Sequence, residues 1–190
     1  MMMKAYRLSA KYIQELETTL TEAEISKEKL FQAVVNSPFN TLASGAPLGL
    51  GIIVLLLVNS QTETIDRIAL SDTEHAKGAL DYSVKKFREI QIPLTNEANV
   101  IAKAIHSGKY QVTSDWHDLF VPALTAEEAR FNQAGAGIGC SVIYPLTDIQ
   151  DRGAIIYSYY VQPENITSEH HAFMKKYAEL ATGSLNRCNV

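Results

Sequence analysis

From Tyr6 to Val35 the chain contains neither proline nor glycine, and Ile13, Leu16, Leu20, Ala23, Lys27, Leu30 and Val34 recur at alternating steps of three and four. That spacing predicts one amphipathic helix across residues 1–36 with a heptad-like seam. Most of its charges, Glu15, Glu17, Glu22, Glu24, Glu28 and Lys29 among them, fall off the seam. The seam can serve a coiled-coil dimer, weakened by Lys27 and Ala23, or dock on the chain's own body. Pro38, Gly45, Pro47 and Gly49 then mark residues 37–49 as a linker.

The periodicity changes at Leu50. Leu50 to Val58 is a continuous apolar run too short to span a bilayer and centred on Ile-Ile-Val-Leu-Leu-Leu-Val, which reads as a buried strand. A polar turn at Asn59 to Thr62 joins it to a second strand, Thr64 to Ser71, on which Asp66, Ile68 and Leu70 alternate with their neighbours. Two such strands predict an antiparallel hairpin. Thr73 to Ile90 is mixed, with Ala76, Ala79, Leu80, Val84 and Phe87 near helical spacing.

Asn96 is the expected N-cap of a helix carrying Val100, Ile101, Ala104 and Ile105, and Gly108 its stop. A strand at Tyr110 to Thr113 and an aromatic loop around Trp116 and Phe120 follow. Thr125 with Glu128 has the spacing of a capping box for a short helix through Ala134. The glycine-rich run Ala134 to Gly139 ends it and leads into a second hairpin, Cys140 to Leu146 and Gly153 to Val161. Thr167 caps a closing helix from Ser168 to about Asn186, its apolar face formed by Phe173, Met174, Tyr177, Leu180, Ala181 and Leu185. The expected class is α+β, a central antiparallel sheet flanked by helices, with the main domain over residues 50–187.

Several of these stretches resemble the GAF family of sensory domains. Ile101 to Lys109 followed by Val112 and Asp115 is similar to the family's helix-glycine-strand segment. Ser141-Val142-Ile143-Tyr144-Pro145-Leu146, then Gly153-Ala154-Ile155-Ile156, resembles its strand ending in Pro-Leu and the glycine-led strand after it. Ile166-Thr167-Ser168-Glu169 before a long helix is similar to its closing element. PAS, a related fold, is the structural rival, and the long closing helix favours GAF. The resemblance implies a pocket on one sheet face for a small ligand, or a ligand-free role in dimerisation or as an adaptor.

Composition narrows the partners. The hydrophobic share of 46% against 20% charged suits a folded domain. A net charge of −4 supplies no basic field for nucleic acid or anionic lipid. Met1 to Arg7 carry charges but no apolar core, so no signal peptide and no direct membrane insertion are expected. Two cysteines, Cys140 and Cys188, without a CxxC pair suit a cytoplasmic setting.

The family's specialised chemistries each lack residues. Cyclic-nucleotide members carry an Asn-Lys pair after the last strand, where this chain has Tyr159-Tyr160-Val161-Gln162. Bilin-binding members attach the chromophore through a cysteine, often beside a histidine, and Cys140 has no such neighbour. GAF-type methionine sulfoxide reductases need two exposed cysteines, because the sulfenic acid must be resolved by a second thiol. His170 and His171 are adjacent on a helix and point to different faces, a poor chelate; these and His75, His106 and His117 read as surface residues. Gly135 to Gly139 lacks the Lys-Ser/Thr of a phosphate loop.

An aromatic set remains: Trp116, Phe120, Tyr144, Tyr157, Tyr159 and Tyr160. The expected ligand contacts are Trp116, Cys140, Tyr157 and Tyr159, with Arg88 or His117 as polar partners; no catalytic residue and no metal ligand is expected. The resulting expectation is a non-catalytic regulatory sensor that binds an unidentified small molecule, with cofactor unknown. It would relay the signal through N- and C-terminal helices of a homodimer.

Overall fold

The apolar run at Leu50 forms the spine of the sheet. In the computed structural model, which describes residues 9–40 and 47–190, β1 (Leu50–Asn59) pairs antiparallel with β2 (Thr64–Leu70) on one side. On its other side β1 pairs antiparallel with β6 (Gly153–Tyr159). The short β3 (Ile92–Pro93) joins β2, while β5 (Cys140–Leu146) and then β4 (Gln111–Thr113) extend the sheet beyond β6. The order is β3-β2-β1-β6-β5-β4, six antiparallel strands. Having a strand on each side and helices on both faces is why β1 is apolar at consecutive positions.

Alternation splits each strand between two cores. Ile53, Leu55 and Leu57 of β1 with Ile155, Tyr157 and Tyr159 of β6 form one face. Against it lie α1 (Ala10–Ala23), α2 (Lys27–Asn40) and α7 (Ser168–Arg187). Ile52, Leu56 and Val58 with Ala154 and Ile156 form the other. It is covered by α3 (Glu74–Asp81), α4 (Val100–Ser107), α5 (His117–Phe120) and α6 (Ala126–Ala136).

The single N-terminal helix expected from the heptad pattern is two helices, broken between Ala23 and Lys27. Its stripe is used inside one chain: Leu16, Leu20, Leu30 and Val34 are fully buried with Phe173, Met174 and Tyr177 of α7. Breaking the helix lets both halves lay their apolar sides on one sheet. Arg187 fastens the turn through hydrogen bonds to both Glu24 carboxylate oxygens, at 2.9 and 3.0 Å from Nε. Within the stretch expected as a linker, residues 37–49, α2 continues to Asn40 and a 3-10 turn begins at Pro47; residues 41–46 lie outside the described residues, as do residues 1–8 of the expected N-terminal helix.

The caps follow the sequence with shifts. Asn99, not Asn96, caps α4, its Oδ1 accepting from the backbone N–H of Ile101 at 2.8 Å, and Gly108 ends the helix at φ +64°. The Thr125–Glu128 capping box starts α6, which runs on to Ala136 and ends at Gly137, φ +67°. Gly135 therefore lies inside α6, where α3 packs so closely that a Cβ on Gly78 would run into its carbonyl oxygen. The aromatic loop contains α5, a single turn.

Candidate functional site

Between the sheet and the α3–α6 layer lies a cavity of about 50 Å³. Ile52 and Val54 of β1, Leu70 of β2 and Ile156 of β6 form its floor, and Leu119 and Phe120 of α5 part of its roof. Leu80, Ser83 and Phe87, all at least partly exposed, lie at its outer rim.

Four polar groups enter this apolar space. Trp116 Nε1 donates to Ser141 Oγ at 3.0 Å, and Ser141 Oγ lies 2.7 Å from Ser158 Oγ, which lines the cavity. Asn132 of α6 is 3% exposed, and its Oδ1 has no hydrogen-bond partner among the described residues. Ser83 stands at the rim. The fourth is Arg67 of β2, 5% exposed, with its guanidinium carbon 4.7 Å from the Phe120 ring centre and 6.0 Å from that of Phe87. Among the described residues it makes no salt bridge and no side-chain hydrogen bond. Burial pushes its pKa down to about 9, leaving it charged at neutral pH.

A β-bulge helps place Arg67. Leu55 pairs with Ala69 and Leu56 with Arg67, so β2 carries an extra residue, Ile68, between them. Ala69 falls on the α1/α2/α7 face, while Arg67 stays with Ile65 and Leu56 on the cavity face. An unbroken alternation would put Arg67 and Ala69 on one side.

Of the six residues expected at the site, Trp116 alone lines the cavity. Tyr157, Tyr159 and Cys140 lie across the sheet in the core under α1, α2 and α7. The reason is register: Ile156 and Ser158, the residues between and beside the tyrosines, take the cavity face. Tyr157 Oη donates to the Met174 carbonyl at 3.1 Å, whereas Tyr159 Oη is buried without a partner among the described residues. Cys140 is fully buried, and burial, with Glu164 contributing, pushes its thiol up to about 11. Arg88 is exposed, donates to the Ile68 carbonyl at 3.1 Å and borders a surface groove with Lys27 and Phe31. His117 starts α5 and donates its backbone N–H to Asp115 Oδ1 at 2.9 Å; its side chain is not part of the lining.

The other aromatic residues divide as well. Phe120 joins Trp116 at the cavity, edge-on at 5.6 Å, while Tyr160 is exposed and stacks on His75. His170, expected at the surface, is buried and bonded through Nε2 to the Leu48 carbonyl at 2.9 Å. Arg67, Asn132 and Ser158 are not among the residues that the sequence pattern singles out. The available signal was a lone arginine in a strand between isoleucines at 65 and 68.

No protein-family model matches the sequence, and no curated protein matches it. Solved structures do match its fold. A methyl-accepting chemotaxis protein, residues 122 to 287, superposes with a TM-score of 0.60 at 12% identity, covering 92% of this chain and 96% of that one. The GAF domain of a phosphoenolpyruvate-protein phosphotransferase from Acinetobacter gives 0.60 at 8%, covering 95% of each chain. The fRMsr of Staphylococcus aureus in its reduced form gives 0.53 at 9%, covering 91% and 94%. The chain has the GAF fold. No helix among the described residues is long and apolar enough to cross a membrane.

Proposed function

We propose that this GAF-fold chain is a regulatory sensor that holds a small molecule in the cavity under α3, α5 and α6. The observation carrying the reading is the cavity itself, an apolar space whose lining includes a buried arginine and a buried asparagine with an unpartnered oxygen. Small-ligand sites combine apolar walls with a few polar groups that set orientation. Unsatisfied buried polar atoms are destabilising, so a ligand that satisfies them is favoured.

The sulfoxide-reductase reading has less to support it. The fold neighbour carrying that chemistry shares 9% identity, and here Cys140 is sealed in the opposite core with a raised pKa. A thiol acts as a nucleophile only as the thiolate.

The relay in this reading runs through the cavity's own cover. A ligand that draws Phe87 and Phe120 together moves α5 and the 87–89 turn relative to the sheet. In a dimer, contact would come from the outward faces of α1, α2 and α7, because their apolar sides are buried within one chain. The test is a thermal-shift panel of small metabolites against the full chain and an Ala79→Phe variant that fills the cavity. A compound that raises Tm in the native chain and not in the variant is expected. A panel without any shift in the native chain refutes the sensor.

A further inference from the structure

We infer that the cavity's ligand is a small monocarboxylate, held by the Arg67 guanidinium with its carbon chain against the apolar floor. This inference rests on the sensor reading above and names the class of molecule.

Arg67 lies on β2, paired with Leu56 of β1 on one side and beyond the short pairing with β3 on the other; it is 5% exposed, and among the described residues its guanidinium has aromatic neighbours but no acidic one. Buried cations are ordinarily paired, because removal from water is costly without a counter-charge. Phe87 and Phe120 offer ring faces, which orient a guanidinium without neutralising it. They leave its N–H groups for an acceptor, and a carboxylate fits that planar fork in bidentate fashion.

The rest of the lining supplies donors and no competing anion. Ser158 is reached by a chain that starts at the Trp116 N–H and passes through Ser141 Oγ, at 3.0 and 2.7 Å. Both oxygens of that serine pair are rotors. With the indole hydrogen on Ser141 and the Ser141 hydrogen on Ser158, the Ser158 hydroxyl is left to donate into the cavity. Asn132, whose Oδ1 is unpartnered, can turn its amide so that Nδ2 faces an anion. Neither Asp nor Glu lines the space.

Charge and size limit the class. One cation in an apolar setting balances one negative charge, which favours a carboxylate over a phosphate dianion. A water needs roughly 10–15 Å³ of such space, so about 50 Å³ takes a handful of heavy atoms. Propionate, with an ethyl group for the floor, is the natural probe.

The experiment measures binding of propionate, propionamide, propylammonium and inorganic phosphate to the full chain by calorimetry and thermal shift. It is repeated on Arg67→Met, Arg67→Lys and Ser158→Ala, with circular dichroism confirming each fold. Propionate alone should bind. Arg67→Met should weaken it by roughly ten- to hundredfold, Arg67→Lys by less, and Ser158→Ala by several-fold.

Propionamide or phosphate binding as well as propionate overturns the inference, as does unchanged propionate binding to Arg67→Met. No propionate binding by the native chain also overturns it. If a neutral compound from the metabolite panel binds while carboxylates do not, the carboxylate class fails and the sensor reading stands. If no compound binds at all, both fall.

Discussion

Replacing Arg67 by methionine should make the ligand-free protein more stable, an unusual direction for a buried residue of the sheet. The guanidinium is 5% exposed and has no acidic partner among the described residues, and burial alone pushes its pKa down to about 9. A depression of that size corresponds to a desolvation cost of roughly 5 kcal/mol. Against it stands the contact with the Phe120 face at 4.7 Å, worth about 0.5–2 kcal/mol. Methionine keeps most of the aliphatic packing and its sulfur also suits the two rings. The balance is about 3–4.5 kcal/mol in favour of the variant, at the upper end of what is seen when buried ionic groups give way to apolar ones. For a chain of 190 residues each kcal/mol moves Tm by about 2–4 °C, so a rise of roughly 6–18 °C is expected. The assay is a calorimetric melt with a urea titration, both in carboxylate-free buffer, since a bound carboxylate would stabilise the native chain and mask the gain. A variant that melts at or below the native temperature would show that Arg67 is a satisfied structural strut and not an uncompensated buried cation.

The two tyrosines that look equivalent in sequence should respond differently to loss of their hydroxyls. Tyr157→Phe removes a bond to the Met174 carbonyl and should cost about 1 kcal/mol, whereas Tyr159→Phe removes an unpartnered buried oxygen and should be neutral or stabilising; urea midpoints in the reverse order would contradict the placement. Leu20→Ala should cost about 2–5 kcal/mol, because Leu20 is fully buried beneath α7; a change within ~0.5 kcal/mol would put α1 outside the core. The Arg130 guanidinium beside Asp115 holds that carboxyl below the usual carboxylate range. Its folded value is depressed, so its stabilisation is complete above about pH 4 and is lost as pH falls through the native value. Asp115→Asn should therefore flatten the acid limb of stability against pH and cost up to ~1 kcal/mol at neutrality; an unaltered acid limb in urea titrations would count against the pair.

The fold was legible where periodicity and caps agree. Both hairpins, the closing helix, the Thr125–Glu128 box and the Gly108 stop stand where their residues place them. The break between Ala23 and Lys27 was hidden because the heptad pattern runs through it without proline or glycine. What joins the two halves is tertiary, a shared docking surface on the sheet and the Arg187 hydrogen bonds to Glu24. The cavity was less legible. Alternation correctly separated Tyr157 and Tyr159 from Ile156, but a single strand carries no sign of which face the cavity occupies. Arg67 was obscured by the bulge, since Ile68 and Leu70 suggested one apolar parity while the structure switches parity between Arg67 and Ala69. Asn132 sits on a helix of weak amphipathic pattern, where an inward asparagine leaves no periodic mark.

The position of β1 between β2 and β6 has a bearing on how the chain is made. Its hairpin partner leaves the ribosome moments later, but β6 follows after ~90 residues, roughly 5–20 s at ordinary rates of synthesis. For that interval one hydrogen-bonding edge of a nearly all-apolar strand has no native neighbour. The nascent hairpin is thus a natural client for a holding chaperone. Overexpression that outpaces such help should send newly made chains into inclusion bodies through this strand.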